Sequence, residues 1–392
     1  MSNKYDDDLK NQVLEIMKEE EAREKQRRTP QNTRTSTSRA VTTKKRKSVK
    51  KKKHKVLKTL GILSAALLVV VLILVGTKPG RSLLYKAAGN FIYKNTNNED
   101  VIQEYEEPVE IVHADGSHRE DYVSNYLIFG IEEFGGARNT DSMMIATVNT
   151  RDNTLKLTSL LRDSYVEIPG HNANKLNSAY SRGGVSMLIE TIEMNYKIQI
   201  DGYMSVNFKS FEKIVDRLGG VDIELGKEEA KYLNTTNYIS QKKYRNVKEG
   251  MNHLNGNQAL GYVRVRKVKT LGGVNNDYGR IVRQQRVLKA IFESYKSPKN
   301  LIKFVSITKE CLGYVSTNLT QRQIENLMSN VVENNITSLD TFRVPYDGAF
   351  DAPKAYNGIT YPIVLDWDKN LLELYKFVFA YTEEEAVAAL SR

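Results

Sequence analysis

Two arginines stand two residues apart in the segment YVRVRK, residues 262–267. If this segment is extended, Arg264 and Arg266 point to one face while Val263 and Val265 point to the other. Neighbouring guanidinium groups repel each other unless an anion or carboxylates lie between them, and their forked donors match phosphate oxygens. The pair therefore indicates either a phosphate-binding site or an edge strand with ordinary surface ion pairs.

A second source of cations is the segment DYGRIVRQQ, residues 277–285. On a helix, Arg280 and Gln284 share one face, and Arg283 lies beside Arg280 on the next turn. Asp277 could cap the start of that helix. We therefore expect a helix that presents further cations to the same site.

A third source follows a predicted strand in SLLRDSYVEIPG, where Arg162 and Asp163 come directly after the apolar run. Sheets covered by helices tend to present ligand-binding side chains at such strand ends. Lys175 and Asn177 follow in KLNSAYSRGG, whose glycines lead into a helix and by themselves indicate no more than a tight turn. These residues extend the candidate cationic site.

Carboxylates form a second group of candidate residues. Glu132 and Glu133 lie at the end of the strand FGIEE, and Asp141 stands just before the next strand in RNTDSMM. Two carboxylates at neighbouring strand ends could hold one Mg²⁺, a hard cation that prefers oxygen ligands and bridges phosphates. Each could equally be a loop acid or an ion-pair partner of Arg138. The chain has no HExxH, Walker, GxSxG or Cys/His zinc motif, and its single cysteine excludes an internal disulfide.

Short strands alternate with helices from about Asp121 onward. The β-rich runs are YLIFGI, SMMIATVN, LKLTSLL, YMSVNF and VDIEL, and Asp152-Asn153 is typical of a hairpin turn. The segments GGVSMLIETIEMNY, FKSFEKIVDRLGG and RIVRQQRVLKAIFESY predict helices, the second closed by its glycines. This alternation predicts an α/β fold, with a mixed sheet covered by helices in one large domain.

The run TLGILSAALLVVVLILVG, residues 59–76, carries no charge. At about 1.5 Å per residue such a helix spans roughly 27 Å, which is close to the hydrocarbon thickness of a bilayer. A buried core helix would show a polar face, and a cleaved signal peptide normally has a shorter apolar run and small residues at its cleavage site. We therefore expect one transmembrane helix, with a signal peptide as the alternative.

The positive charge of the chain lies before this helix. Residues 1–58 hold 19 Lys and Arg against 8 Asp and Glu, and the whole chain holds 58 and 47, so the remainder is balanced at 39 of each. Basic flanks stay on the cytoplasmic side, which predicts a cytoplasmic N-terminus and a C-terminal domain outside the cytoplasm. The tail therefore indicates contact with anionic membrane lipids, and no nucleic-acid partner is expected.

Together these features predict five segments along the chain. Residues 1–58 form a basic, largely disordered cytoplasmic tail, residues 59–76 the transmembrane helix, and residues 77–120 a polar extracytoplasmic spacer. Residues 121–300 form the core of the large domain, and residues 301–392 complete the same domain.

The order of these segments resembles the LytR–CpsA–Psr family of bacterial cell-wall proteins. The matching runs are FGIE, RNTDSMMIATVN, SLLRDSYVEIPG, KLNSAYSRGG, VDRLGGVDIEL, LNGNQALGYVRVR and DYGRIVRQQ, which cover roughly residues 125–290. The basic tail and the single membrane helix before them also fit the family. The resemblance implies a three-layer αβα domain with an apolar groove that holds a polyprenyl chain.

In activity, the resemblance implies a phosphotransferase. A teichoic acid or capsule-type glycopolymer would move from a polyprenyl-pyrophosphate carrier onto a peptidoglycan sugar hydroxyl, assisted by Mg²⁺, at the outer face of the membrane. The positions that match the family's pyrophosphate-binding residues are Arg138, Arg162, Arg264, Arg266, Arg280 and Gln284. The residues that the resemblance associates with catalysis are Asp141, Arg162, Arg264 and Arg266. Metal binding would fall to Asp141 and Glu132.

One residue departs from the family pattern. The family usually has Asp where this chain has Glu132, and the longer side chain changes the reach toward a metal by about one methylene. Two alternatives therefore stay open: a hydrolase of the same lipid-linked pyrophosphate, and a catalytically weak, lipid-binding scaffold for wall assembly. A membrane-tethered DNA-binding regulator is a third, but the chain shows no helix-turn-helix pattern, and its charge places the domain across the membrane from DNA.

Overall fold

The computed structural model describes residues 77–95, 111–134, 137–295, 314–334, 336 and 338–391, and only the backbone of residues 95, 132–134, 137–139, 294, 295 and 332. The strands are β1 (Val123–Phe134), β2 (Ala137–Asn149), β3 (Thr154–Leu160), β4 (Tyr165–Ile168), β5 (His171–Lys175), β6 (Gly202–Asn207), β7 (Val221–Leu225), β8 (Gly250–Leu254), β9 (Ser316–Thr317), β10 (Leu339–Val344), β11 (Phe350–Asp351), β12 (Ala355–Tyr356), β13 (Ile359–Thr360) and β14 (Val364–Leu365). The helices are α1 (Lys78–Asn95), α2 (Asn177–Tyr196), α3 (Phe208–Leu218), α4 (Lys227–Thr235), α5 (Gly256–Arg264), α6 (Asn276–Tyr295), α7 (Gln321–Glu333), α8 (Trp367–Phe379) and α9 (Glu383–Leu390).

The main sheet has six strands in the order β10-β3-β2-β1-β6-β9. Strand β10 runs parallel to β3 and β6 runs parallel to β1, whereas the other neighbours are antiparallel. The prediction of a mixed sheet with helices is therefore confirmed. The parallel pairing of β10 draws residues beyond 300 into the same sheet as the first strands.

Alternating side chains of β1 pack into different cores, as the period of a strand requires. Leu127 and Phe129 belong to the large core that α2 and α8 also line. Tyr126, directly before Leu127, points to the opposite face and packs against Leu319 and Ile324, at the start of α7. Apolar cores thus lie on both faces of the sheet.

Several predicted turns and helix ends are confirmed in detail. The hairpin between β2 and β3 turns at Asn153, whose φ of 57° lies in the left-handed region. Helix α3 begins after Asn207, whose side chain accepts a hydrogen bond from the Ser210 amide at 2.8 Å, and ends at Gly219 with a φ of 88°. Asn and Gly adopt such positive φ values at low cost, so these residues set the boundaries.

The segment YVRVRK is not extended throughout, as the pairing of Arg264 and Arg266 on one face would require, because a capped helix runs into it. The Asn255 side chain accepts from the Gln258 amide at 2.9 Å, and the Gln258 side chain accepts from the Asn255 amide at 3.0 Å. This capping box starts α5, which continues as far as Arg264. Val263 and Val265 are both buried, as the alternating pattern indicates, although the backbone before Val265 is helical.

A buried ion pair joins α6 to α4. The Arg283 Nε donates to Glu229 Oε1 at 2.8 Å, and both side chains are at most 1% exposed. Arg283 also donates to the carbonyl oxygens of Val265 and Val268, at 3.1 and 2.9 Å. The expectation that Arg283 presents a cation to the site is therefore wrong, because its charge is used inside the core to hold the chain after α5.

The start of the chain is only partly described. The predicted tail and the predicted transmembrane helix over residues 59–76 lie outside the described residues. Among the described residues, none of the helices has the length and apolar character needed to cross a bilayer. Within the predicted spacer, α1 packs against α7, where Arg81 pairs with Glu333 at 2.7 Å and Tyr85 donates to the same carboxylate at 2.8 Å.

We predict that Arg283→Ala lowers the free energy of unfolding by about 3–5 kcal/mol, because it leaves the Glu229 carboxylate buried without its partner. The matched control is Lys289→Ala, which removes an exposed cation from the same helix and is expected to change stability by less than about 0.5 kcal/mol. Urea denaturation of both purified variants measures the difference. Equal unfolding midpoints for the two would refute a stabilising role for the pair.

Candidate active site

A β-bulge places Asp141. The register of β1 against β2 shifts between Gly130, which pairs with Ser142, and Ile131, which pairs with Thr140. Asp141 is thus the extra residue of β2 and has no opposite residue on β1. Bulges turn a side chain out of the regular pattern and are common beside active sites. The sequence analysis placed Asp141 before the strand, whereas it lies inside it.

Two arginines from different elements converge on the Asp141 carboxylate. Arg162, two residues after β3, donates from Nη1 to Oδ1 at 2.6 Å, and Arg280, from the first turns of α6, approaches Oδ2 with Nη1 at 3.5 Å. Both cations come from segments that the sequence analysis selected, and the sheet and α6 bring them to one carboxylate.

The ion pairs continue on the α6 side. Arg280 Nη2 lies 2.8 Å from Asp277 Oδ1, and Arg266 Nη1 lies 3.4 Å from the same oxygen. Asp277 falls within the first turn of α6, after its first residue Asn276, so it joins two arginines instead of capping the helix. A carboxylate here also lies near the positive end of the helix dipole.

On the other side the ion pairs run through Asp163. Arg162 Nε lies 3.3 Å from Asp163 Oδ2, and Lys175 Nζ lies 2.8 Å from Asp163 Oδ1. We call the whole set the charge network, whose members in spatial order are Lys175, Asp163, Arg162, Asp141, Arg280, Asp277 and Arg266. Cations and carboxylates alternate along it, and cations stand at both ends, so the network carries an excess of positive charge.

Burial makes this charge available to an anion. Arg280 is only 6% exposed, and its Nε has no hydrogen-bond partner among the described residues. Burial lowers the pKa of the Arg280 guanidinium, although Asp277 opposes the shift. Burial also acts to lower the pKa of the Arg162 guanidinium. There the charge of Asp141 and its hydrogen bond outweigh burial, so the pKa of Arg162 is raised. A buried donor without a partner is costly, so an added anion would be bound favourably.

Two further predicted residues lie at the edges of the network. The Arg264 guanidinium stacks over the Phe208 ring with 4.6 Å from Cζ to the ring centroid. Gln284 accepts a hydrogen bond from Ser142 Oγ at 3.2 Å, next to Asp141 in the chain. The structure therefore places Gln284 against the residue that follows Asp141, and it attaches Arg264 to the start of α3.

The last two predicted site residues, Glu132 and Arg138, are described by their backbone alone. Glu132 pairs with Asn139 and Glu133 with Arg138 in the β1–β2 ladder, just beyond the bulge that carries Asp141. Their placement beside Asp141 agrees with the sequence analysis, while their roles stay predictions.

The residues present are compatible with Mg²⁺. Among the described side chains, no group of three His, Cys, Asp or Glu is arranged to hold a metal ion. Mg²⁺ is, however, usually held by one or two carboxylates together with substrate phosphates. Asp141 is the carboxylate that could take part, since it already lies among the cations that would face a phosphate.

The sequence analysis missed one cation at this site, Arg343 on β10. Its Cζ lies 4.2 Å from the ring centroid of Tyr278, the residue after Asp277, and its guanidinium pairs with Asp347. Arg343 stands in an unremarkable strand, and only the pairing of β10 with β3 brings it here. No local sequence signal could have found it.

Comparisons with known proteins agree with this geometry. The family model described as the LytR_cpsA_psr family matches residues 88–370. The polyisoprenyl-teichoic acid–peptidoglycan teichoic acid transferase TagU of Bacillus mycoides (strain KBAB4) is 33% identical over 246 residues, 62% of this chain and 74% of that protein. The crystal structure of B. subtilis TagV shares a TM-score of 0.52 and 26% identity, covering 67% of this chain and 100% of that one. The crystal structure of B. subtilis TagT has a TM-score of 0.52 and 25% sequence identity, covering 72% of this chain and 100% of that one. Because the family model spans most of the sequence, this chain belongs to the LytR–CpsA–Psr family.

Proposed function

We propose that this protein is a phosphotransferase that moves a teichoic-acid-type glycopolymer from a polyprenyl-pyrophosphate carrier onto a sugar hydroxyl of peptidoglycan. The observation that carries the proposal is the convergence of Arg162 and Arg280 on Asp141, with an unpartnered buried donor on Arg280. Relatives named as polyisoprenyl-teichoic acid–peptidoglycan teichoic acid transferases support it. Arginine forks match the oxygens of a pyrophosphate.

The charge network explains how such a reaction would be accelerated. A pyrophosphate diester resists attack because its negative charge repels nucleophiles, and partly buried arginines offset that charge. The acceptor hydroxyl oxygen forms a bond to the phosphorus that carries the glycopolymer, and the bond from that phosphorus to the bridging oxygen breaks. Polyprenyl phosphate leaves with the bridging oxygen, stabilised by Arg266 and Arg280.

Asp141 is suited to take the acceptor proton once substrate is bound. In the free protein Arg162 and Arg280 both contact its oxygens, so these oxygens are occupied before substrate binds. An incoming pyrophosphate competes for the same guanidinium groups. Asp141 would then be released beside the reacting phosphorus, where a general base must stand.

Mg²⁺ is proposed as the cofactor, with Glu132 and one oxygen of Asp141 as its protein ligands, which leaves the other Asp141 oxygen for the acceptor proton. When bound, it would neutralise charge on the phosphate oxygens. The positions of the two residues at the adjoining ends of β1 and β2 support this assignment. We also propose that residues 59–76 anchor the chain in the membrane by a single pass, with the domain outside the cytoplasm, close to its lipid-linked substrate.

The reaction itself is tested by its product. We expect the purified full chain, given a lipid-linked glycopolymer and peptidoglycan, to form a phosphodiester between the polymer and a muropeptide sugar, detectable by mass spectrometry after digestion of the glycan. Release of polymer phosphate without that linkage would instead identify a hydrolase, and lipid binding without turnover would identify a scaffold.

We predict that Arg266→Ala lowers kcat/KM for transfer by about 10²–10³-fold, the loss expected when one charge-stabilising group is removed. Its only described ion pair, to Asp277, is partly exposed and contributes less than about 1 kcal/mol to folding. The thermal unfolding midpoint should therefore stay close to that of the parent protein. Lys267→Ala is the matched control, since it removes an exposed cation one residue away. Normal transfer by Arg266→Ala would contradict the assigned role.

We predict that Asp141→Asn abolishes Mg²⁺-stimulated transfer and weakens Mg²⁺ binding measured by calorimetry in the presence of inorganic pyrophosphate, because the amide carries no negative charge. Asp368→Asn, an exposed change on α8, serves as control. Glu132→Asp keeps a carboxylate and should retain both properties. If chelation of metal leaves the parent rate unchanged, the magnesium assignment is wrong.

A further inference from the structure

A small hairpin, residues 354–361, projects beside the charge network. Strands β12 and β13 have two residues each, and Asn357 and Gly358 form the turn with φ values of 46° and 80°. Nearly all of its residues are exposed. So short a pair of strands is marginal by itself, and its attachment to the rest of the domain must hold it in place.

The attachment point is the segment that carries Arg162. The Ile363 amide donates to the Asp163 carbonyl oxygen at 2.8 Å, and the Tyr165 amide donates to the Ile363 carbonyl oxygen at 2.7 Å. Two extended residues span about 7 Å, so Tyr361 is held close to the backbone of Asp163. The hairpin therefore borders the site at the Asp163 end of the network, opposite the end formed by Arg266.

Three tyrosines gather on this hairpin and its base. The rings of Tyr165 and Tyr356 meet edge to face with centroids 5.1 Å apart, and the Asn357 side-chain amide donates to the Tyr165 hydroxyl at 3.2 Å. Tyr356 is 41% exposed and Tyr361 is 69% exposed. Contact between the Tyr165 and Tyr356 rings thus fixes the hairpin, while Tyr356 and Tyr361 keep ring surface exposed to solvent.

Folding gives no reason for an aromatic residue at Tyr361. Its φ of 50° lies in the left-handed region, which is unusual and unfavourable for a bulky side chain. Its amide donates to the Lys354 carbonyl oxygen at 2.8 Å, a bond that any residue with an N–H could form. Exposed aromatic groups that packing does not require are typical of binding surfaces.

We propose that Tyr165, Tyr356 and Tyr361 form a platform that binds the acceptor glycan, the sugar strand of peptidoglycan. This inference rests on the proposed function. A pyranose ring has an apolar C–H face and a rim of hydroxyls, and tyrosine offers an apolar ring with a polar tip, so the two can stack without losing their hydrogen bonds. A platform beside Arg162 would hold the sugar hydroxyl near the phosphorus that it attacks.

The charges around the platform favour an uncharged glycan over the transferred polymer. Glu167 lies two residues after Tyr165, on the same side of β4. Asp351 lies on β11, which pairs with β14, the strand that follows the hairpin in the chain. Both carboxylates are exposed, and together with Asp163 they outnumber the two nearby lysines, Lys354 and Lys175, of which Lys175 lies opposite Tyr165 and pairs with Asp163. A teichoic acid is a polyanion of phosphodiesters and would be repelled here, whereas it would be attracted to the arginine end of the network.

The test is sedimentation of the full chain, in detergent, with peptidoglycan sacculi stripped of teichoic acid. We expect the double change Tyr356→Ala/Tyr361→Ala to weaken binding by about tenfold, the loss of two ring contacts, and Tyr356→Phe/Tyr361→Phe to keep it. Tyr93→Ala removes another exposed tyrosine, on α1, and should bind as the parent does. The same double alanine change should raise the KM for the acceptor and leave the KM for the lipid-linked donor unchanged.

Equal binding of stripped sacculi by the alanine and phenylalanine pairs would overturn the platform, even if the parent protein transfers polymer normally. Ring-dependent binding of free teichoic acid, with no binding of stripped sacculi, would overturn the acceptor assignment. Ring-dependent binding of sacculi by a protein that forms no polymer–sugar phosphodiester would uphold the platform while refuting the proposed function. Thermal unfolding of each variant confirms that the domain remains folded.

Discussion

The contact of Asp141 with Arg162 and Arg280 is the constraint on which the described site depends. Each of the three side chains comes from a different element, namely the bulge of β2, the end of β3 and the first turns of α6. Buried guanidinium groups are costly in the absence of an anion, so the free protein supplies one itself. The proposed chemistry depends on a bound phosphate displacing Asp141 from these two guanidinium groups.

The arginine end of the network is set by a second, deeper ion pair. Arg283 and Glu229 are both buried, and Arg283 holds the carbonyl oxygens of Val265 and Val268 on either side of Arg266. Adjacent turns of α6 thus have different tasks, since Arg280 faces the site and Arg283 fixes the loop that carries another site residue. A helix is well suited to this because residues three apart are neighbours on its surface, so one can face the site while the other packs into the core.

Much of the sheet could be predicted from sequence because its signals are local. The alternating runs of β1, β2 and β3, the turn at Asn153 and the cap at Asn207 all depend on near neighbours in the chain. The alternation of Val263 and Val265 with arginines is compatible with an extended segment, but its first residues end helix α5, whose capping box starts at Asn255, nine residues before Arg264. Periodicity over four residues cannot distinguish a strand from the end of a helix.

Strand ends and helix faces indicated which side chains could come together, whereas the roles of these residues stay predictions. Arg162 and Arg280 contact Asp141, and Gln284 contacts the neighbouring Ser142. The assignment of Arg283 failed because spacing along a helix does not report burial. Arg343 was missed because its position depends on β10 pairing with β3 across about 180 residues of chain, a pairing with no local trace.

The two ends of the charge network differ in what surrounds them, and this gives the proposed reaction a direction. At one end stand Arg266 and Arg280 at the start of a long helix, where an anion is stabilised. At the other, Lys175 is paired with Asp163, whose backbone supports a hairpin with exposed tyrosines and neighbouring carboxylates, a surface that we propose disfavours an anionic polymer. A charged donor and a neutral acceptor would therefore approach Asp141 from opposite sides. That arrangement suits an in-line displacement at phosphorus, because the attacking oxygen and the leaving oxygen must lie on opposite sides of the reacting atom.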